Sequence, residues 1–238
     1  MGGPTPHDKA NAGLPATEGT STILPMERRI LVINPNRDAG CTAGIAAAVA
    51  PYGRPGHALF ETIGLPDGPE AIASWRDWYA VAAPLCTAVE REAADAYVVA
   101  CVSDPAIEAL KEITDRPVLG CFRSAVLAAM ARADRFGVIA FVDASKARQR
   151  RVLLSMGVEG QLAASAALNL RMAELLDPEA PREALLRAGR QLVAAGAGAV
   201  VLGCTGMAGH HASLQVALGV PVIEPCAAAA AQALLAIA

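Results

Sequence analysis

The sequence predicts an α/β protein with two pseudo-symmetric lobes, each a mainly parallel sheet flanked by helices. Short apolar runs typical of buried strands alternate with helical patterns, which favours βαβ units and parallel pairing. The two halves also resemble each other weakly, since D-A-Y-V-V-A-C-V-S at 95–103 matches G-A-V-V-L-G-C-T-G at 198–206. Each copy is followed by a short strand introduced by proline, at 116–120 and 220–224. Aromatic residues make up only 4% of the chain, which favours helices packed on a sheet over an all-β sandwich.

The elements of the first half follow from apolar runs bounded by turn formers. A strand at 29–33 stops at the turn N-P-N, and a helix of small residues follows at 42–50. Pro69 is typical of the first turn of a helix, and the helical pattern continues from 70 to about 94. Three further strands are predicted at 58–63, 95–101 and 116–120.

The second half repeats this scheme. Strands are predicted at 136–142, 199–203 and 220–223, with helices after Lys146 and at 183–195. We therefore assign residues 28–121 with 222–238 to the first lobe and residues 122–221 to the second. Residues 1–27 are rich in Gly, Pro, Thr and Ser and lack the pattern of a secretory signal, so they are predicted to be a disordered leader outside the fold.

Composition excludes several classes of function. The net charge of −3 offers no basic surface for nucleic acid, and no window of 18 apolar residues predicts a membrane span. Six cysteines lie far apart with no export signal, which predicts reduced thiols in a cytoplasmic protein. There is no C-x-x-C pair and no metal-ligand spacing between cysteine and histidine, so no metal site is predicted. The expected partner is a small molecule.

Cys101 and Cys204 lie at equivalent ends of two predicted strands. Ligands of parallel sheets bind outside the carboxyl ends of the strands, and a following helix start would favour a thiolate and lower the thiol pKa. Gly203 and Gly206 would let the backbone approach a ligand closely. The alternative is that these thiols only fill space, as free cysteines often do. That interpretation is favoured for the remaining cysteines on helical faces, which are Cys41, Cys86 and Cys226, while Cys121 stays ambiguous.

Two facing halves would place the two thiols on opposite sides of one cleft. One thiolate could remove a proton from a carbon while the other thiol returns a proton to the opposite face. The reference pKa of a thiol, about 8.5, leaves both forms accessible near neutral pH. This pairing predicts inversion of a stereocentre without a cofactor.

Five motifs together resemble the aspartate/glutamate/hydantoin racemase superfamily, with hydantoin and allantoin racemases as the most similar branch. They are I-N-P-N at 33–36, D-G-P-E-A-I at 67–72, A-C-V-S-D-P at 100–105, V-L-G-C-T-G-M at 201–207 and G-V-P-V-I-E-P at 219–225. The resemblance implies two α/β lobes with the site between them, no cofactor, and a homo-oligomer. It implies that Cys101 and Cys204 are catalytic. It also implies a set of substrate-binding residues, which are Asn34, Thr42, Val102, Ser103, Asp104, Phe141, Thr205, Gly206 and Met207.

Some of these residues have other interpretations. Asn34 could make only an Asx turn, and Asp104 could cap the helix that follows it. Trp75, Trp78 and Tyr79 have helical spacing typical of packing, and His210 and His211 are expected on a solvated helix.

Three stretches depart from the pattern of the superfamily: Arg37-Asp38 follows the N-P-N turn, G-C-F-R occupies 120–123, and Ala140-Phe141 replaces paired threonines. The pocket is therefore expected to be less polar, and Arg37 or Arg123 could bind a carboxylate.

Three functions remain open. The first is a cofactor-independent racemase acting beside a carbonyl, on a hydantoin-like or amino-acid-derived substrate. The second is an arylmalonate-type decarboxylase or a maleate-type isomerase on the same fold. The third is a non-catalytic ligand-binding protein, which would tolerate the loss of both thiols.

Overall fold

A computed structural model describes residues 1–2 and 27–238, so the predicted leader at 1–27 lies almost wholly outside the described residues. The strands are β1 Arg28–Asn34, β2 Ala58–Gly64, β3 Ala96–Val99, β4 Val118–Gly120, β5 Phe136–Ala140, β6 Leu162–Ala167, β7 Ala199–Gly203 and β8 Val222–Ile223. The α-helices are α1 Ala39–Val49, α2 Trp75–Ala80, α3 Ala82–Arg91, α4 Ile107–Ile113, α5 Cys121–Met130, α6 Asp143–Met156, α7 Met172–Leu176, α8 Arg182–Ala194, α9 His211–Leu218 and α10 Pro225–Ala236. Short 3₁₀ helices lie at Ala50–Tyr52, Glu159–Gln161 and Thr205–His210.

The strands form two four-stranded parallel sheets with the same strand order. The first sheet runs β2-β1-β3-β4 and the second runs β6-β5-β7-β8. The central strands are β1 and β3 in the first sheet and β5 and β7 in the second. Cys101 follows β3, and Cys204 follows β7. The α/β prediction with two similar halves is confirmed.

The central strands are mostly apolar and buried because helices cover both faces of each sheet. In the first sheet, Ile30 packs towards α1 and α10 on one face, while Leu31 packs towards α3 and α4 on the other. In the second sheet, Val200 faces α8 and Val201 faces α5. Burial of these alternating side chains fixes the register of the strands and therefore the height at which each strand ends.

The C-terminal segment contacts both halves. Strand β8 pairs with β7 in the second sheet, whereas α10 packs against α1, β3 and α5. The alanine stripe of α10 lets it approach closely, and Ala229, Ala230 and Ala233 are fully buried. The lobe boundaries at 121–122 and 221–222 stay a prediction.

Two element predictions were wrong. The helix expected from 70 begins only at Trp75, because Ser74 and Asp77 form a capping box there, and the chain breaks again at Val81 between α2 and α3. Strand β6 was missed because its sequence, L-A-A-S-A-A, lacks β-branched residues and lies at a sheet edge with most of its side chains half-buried. Within the described residues, no helix is long and apolar enough to cross a membrane.

Candidate active site

A narrow cavity lies where the carboxyl ends of the two sheets meet. Its walls come from the residues that follow four strands: Pro35 after β1, Cys101 after β3, Phe141 after β5 and Cys204 after β7. Its volume is about 40 Å³, room for only a few water molecules. Cys101 and Cys204, which follow the matching strands β3 and β7, therefore line one shared and partly open space.

Cys101 begins the turn after β3 and is partly exposed to the cavity. Its Sγ lies 3.5 Å from the Ser103 Oγ. Burial raises the pKa of the Cys101 thiol to about 12, while the Ser103 hydroxyl and the Arg148 guanidinium lower it. Helix α4 begins only at Ile107, so the start of that helix does not act on Cys101, and the predicted lowering of its pKa was wrong.

Cys204 has extended backbone and directly precedes the 3₁₀ helix Thr205–His210. Burial raises the pKa of this thiol well above its usual range, and the Cys41 thiol raises it further. The Gly206 backbone N–H opposes both effects by hydrogen bonding to Cys204. Cys204 therefore has the helix start predicted for it, but burial outweighs that contribution.

Asn34 and Thr42 do not line the cavity but hold the N-P-N turn. The Asn34 Nδ2 donates to Asn36 Oδ1 and to Thr42 Oγ1, both at 2.9 Å, and the Asn34 Oδ1 accepts from the Asn36 backbone N–H at 3.2 Å. Asn34 is fully buried, so this arrangement matches the Asx-turn interpretation. Pro35 and Asn36 are the residues of this turn that reach the cavity, and sequence reasoning missed the Asn36 side chain.

Asp104 caps a helix other than the one that follows it. Its Oδ1 accepts from the Phe122 N–H at 2.8 Å and its Oδ2 from the Arg123 N–H at 2.9 Å, at the start of α5. Burial raises the Asp104 pKa to about 7, although these N–H groups lower it. Ala106 stands at the N-cap of α4. The interpretation of Asp104 as the cap of its own helix was wrong.

The other predicted binding residues divide into two groups. Val102, Ser103, Phe141 and Thr205 line the cavity. Gly206 and Met207 lie buried behind it, and a Cβ on Gly206 would approach the Met172 Sδ to 3.2 Å. A role for these residues in binding substrate stays a prediction.

Helix α6 supplies two buried polar residues that sequence reasoning missed. Arg148 is 1% exposed and donates to the Ile72 carbonyl at 3.0 Å, the Ala73 carbonyl at 3.3 Å and the Ser145 hydroxyl at 3.1 Å. Gln149 is 3% exposed. The run S-K-A-R-Q-R-R resembles a solvated helix face, but Val152 and Leu153 lie one turn after Arg148 and Gln149. Because residues four apart lie on the same helix face, the apolar Val152 and Leu153 would have predicted that Arg148 and Gln149 are buried.

The cavity surface is neutral and partly apolar. Polar groups come from Asn36, Ser103, Ser145 and Thr205, and apolar surface comes from residues that include Phe141 and Met172. Among the described residues, no Asp, Glu, Lys or Arg side chain lines this cavity, and no group of three His, Cys, Asp or Glu could hold a metal ion. The arrangement suits proton transfer by thiols to and from an uncharged, partly apolar ligand.

Comparisons with known proteins identify the family to which the chain is similar. A family model described as Asp/Glu/Hydantoin racemase matches residues 30–233. Hydantoin racemase of Paenarthrobacter aurescens is 35% identical over 207 residues, which cover 84% of this chain and 87% of that protein. Allantoin racemase from Klebsiella pneumoniae superposes with a TM-score of 0.80 at 30% identity, covering 87% of this chain and 86% of that one. Unliganded arylmalonate decarboxylase shares the fold alone, with a TM-score of 0.61 at 17% identity over 89% of this chain and 93% of that one.

Proposed function

Since the chain belongs to the Asp/Glu/hydantoin racemase family and is a racemase, we propose that Cys101 and Cys204 perform the proton transfers without a cofactor. The observation that carries the proposal is that both thiols line the same cavity of about 40 Å³. Each thiol follows the equivalent strand of its sheet, and the two sheets have the same strand order. Among the described residues that line this cavity, Cys101 and Cys204 are the only thiols.

The thiolate of one cysteine removes the proton from a carbon next to a carbonyl group, and the electron pair passes to the carbonyl oxygen to form an enolate. The other cysteine, as a thiol, donates its proton to the opposite face of that carbon. The C–H bond broken on one face is thus replaced on the other, and the two sulfur atoms exchange protonation states. The next turnover can run in the reverse direction.

The raised thiol pKa values fit this chemistry. A carbon beside a carbonyl is a weak acid, so a base of high pKa has a larger driving force for removing its proton, while a smaller fraction of that base is ionised near neutral pH. Burial raises the pKa of Cys101 to about 12. The Ser103 hydroxyl and the Arg148 charge favour the Cys101 thiolate, and the Gly206 N–H favours that of Cys204. These groups offset part of the cost of forming a thiolate at a largely buried position.

The proposed substrate is a neutral ring or amino-acid derivative with an apolar substituent, such as a 5-substituted hydantoin. Neutral hydrogen-bonding groups from Asn36, Ser103 and Thr205 suit ring carbonyls and N–H groups, and Phe141 suits an apolar substituent. The names of the relatives from Paenarthrobacter and Klebsiella point to the same chemical class. We further propose that the protein acts as a homo-oligomer in the cytoplasm.

The test follows one enantiomer of a 5-substituted hydantoin in D₂O by optical rotation and by NMR of the ring C–H. Loss of rotation with uptake of deuterium supports the proposal. Cys101→Ser and Cys204→Ser should each abolish racemisation, while Cys86→Ser, on α3 away from the cavity, should leave it unchanged. Full activity in either cavity variant would overturn the two-thiol assignment.

Parallel assays with other substrates distinguish the other functions. Release of CO₂ from an arylmalonate would support a decarboxylase, and isomerisation of maleate would support an isomerase. Both substrates are dianions, whereas the cavity lining is neutral. Tight binding of a hydantoin without exchange would support a ligand-binding protein.

A further inference from the structure

Gln149 connects the backbone on either side of the cavity with a single amide group. Helix α6 starts three residues after β5 ends, so its first turns lie at the carboxyl ends of the strands. The Gln149 Nε2 donates to the Val102 carbonyl at 3.0 Å and to the Gly203 carbonyl at 3.2 Å. Both hydrogen bonds are buried.

The two carbonyl groups belong to the immediate neighbours of the two thiols. Val102 follows Cys101 in the turn after the first sheet, and Gly203 precedes Cys204 at the end of β7 in the second sheet. The orientation of the Gln149 amide is fixed, because in the flipped orientation its oxygen would face two carbonyl oxygens and could not hydrogen-bond to either. Its two N–H hydrogens are therefore shared between the two cysteine-bearing segments.

We propose, resting on the proposed function, that Gln149 is a positioning residue that sets the separation of Cys101 and Cys204 for inversion. Inversion requires both sulfur atoms to reach one carbon at the same time, and an error of 1 Å in such a geometry costs on the order of 100-fold in rate. Exchange of the C–H with solvent and retention of configuration needs only one thiolate. Losing the Gln149 hydrogen bonds should therefore reduce inversion much more than exchange.

The decisive variant is Gln149→Leu, which keeps a similar side-chain volume and removes both donors. The matched control is Gln191→Leu, on an exposed position of α8. A single enantiomer of a 5-substituted hydantoin is incubated in D₂O, and inversion and deuterium uptake are measured separately. We expect kcat for inversion to fall about 10- to 100-fold in Gln149→Leu, with exchange and KM each changing less than about threefold. Gln191→Leu should match the parent protein.

The possible outcomes distinguish a failure of this inference from a failure of the proposed function. If the parent protein racemises and Gln149→Leu retains the parental ratio of inversion to exchange, the positioning role is wrong and the proposed function stands. If the parent neither racemises nor exchanges any hydantoin, the proposed function falls and the inference falls with it. Gln149→Met, with a more flexible side chain of similar size, replaces Gln149→Leu if the latter does not fold.

A second measurement does not depend on turnover. 1,3-Dibromoacetone joins two nearby thiols through a three-carbon bridge, because each thiolate forms one C–S bond and displaces one bromide ion. Peptide mapping by mass spectrometry distinguishes a Cys101–Cys204 adduct from one at Cys121 and Cys226, whose sulfur atoms lie 3.7 Å apart. We expect the Cys101–Cys204 adduct in the parent protein and a reduced yield in Gln149→Leu. Equal yields in both proteins would overturn the inference.

Discussion

Replacing Gly120 by alanine should destabilise the protein through a single contact with Asp104. Gly120 precedes α5 with φ −97° and ψ 134°, a conformation that alanine adopts without strain. A Cβ at this position would nevertheless lie 2.5 Å from the Asp104 Oδ1 and 2.6 Å from its Oδ2. The carboxylate must then move away from the α5 N–H groups that it caps.

The expected cost follows from the hydrogen bonds that are lost. Asp104 accepts from Phe122 N–H at 2.8 Å and Arg123 N–H at 2.9 Å, and a hydrogen bond to a charged group contributes about 1.5–3 kcal/mol. Alanine lowers the conformational entropy of the unfolded chain relative to glycine, and this stabilises the folded state by about 0.4–1 kcal/mol. We therefore expect Gly120→Ala to lower the free energy of unfolding by about 2–5 kcal/mol.

Urea denaturation at pH 8 measures this change, because Asp104, with a pKa of about 7, is then mostly ionised. Gly44→Ala is the matched control. A Cβ at Gly44 meets no atom within 4 Å inside α1, so this variant should gain about 0.5–1 kcal/mol. Gly120→Ala should cost almost nothing in an Asp104→Ala background. An equal cost in both backgrounds would refute the reasoning.

Three further predictions concern the cavity. First, kcat/KM should rise with pH between about 6 and 10, because burial raises the pKa of Cys101 to about 12 and only the thiolate removes a proton; a pH–rate profile measures this. Second, Arg148→Met removes a buried charge that lowers the Cys101 pKa, so kcat/KM at pH 8 should fall about tenfold, as measured by initial rates. Third, Phe141→Thr should lower kcat/KM for a 5-benzyl hydantoin relative to a hydantoin with a polar substituent, because Phe141 supplies apolar surface; initial rates with both substrates give the ratio.

Each of these predictions has a contrary result. A pH profile that is flat from 6 to 10 would mean that the attacking thiol is already ionised near neutral pH. An Arg148→Met enzyme with unchanged rate at pH 8 would show that Ser103 alone stabilises the Cys101 thiolate. An equal fall in kcat/KM for both substrates in Phe141→Thr would mean that Phe141 supports the fold and does not contact the substituent.

The fold and the position of the two thiols could be predicted from the sequence because both depend on local patterns. Runs such as A-V-V-L-G have no solvated face and end abruptly at a turn, so buried strands ending at Cys101 and Cys204 follow directly. Strand β6 could not be predicted in this way, since small residues at a sheet edge carry no strand signal.

The surroundings of the thiols were harder to predict because they depend on contacts between distant segments. Gln149 lies 47 residues from Val102 and 54 from Gly203, the two residues that it bonds. The Asp104 carboxylate caps a helix about 18 residues further along the chain. The direction of the thiol pKa shifts was also missed, because local sequence indicates a helix start but not how completely the fold excludes water.

The small volume of the cavity has a consequence for substrate entry. A space of about 40 Å³ holds only a few water molecules and is smaller than a substituted hydantoin. On the proposed mechanism, the strand ends that carry Cys101 and Cys204 must therefore move apart to admit the substrate and close again before the proton transfers. The rate of that motion would then set an upper limit on turnover, whatever the rate of the chemistry at carbon.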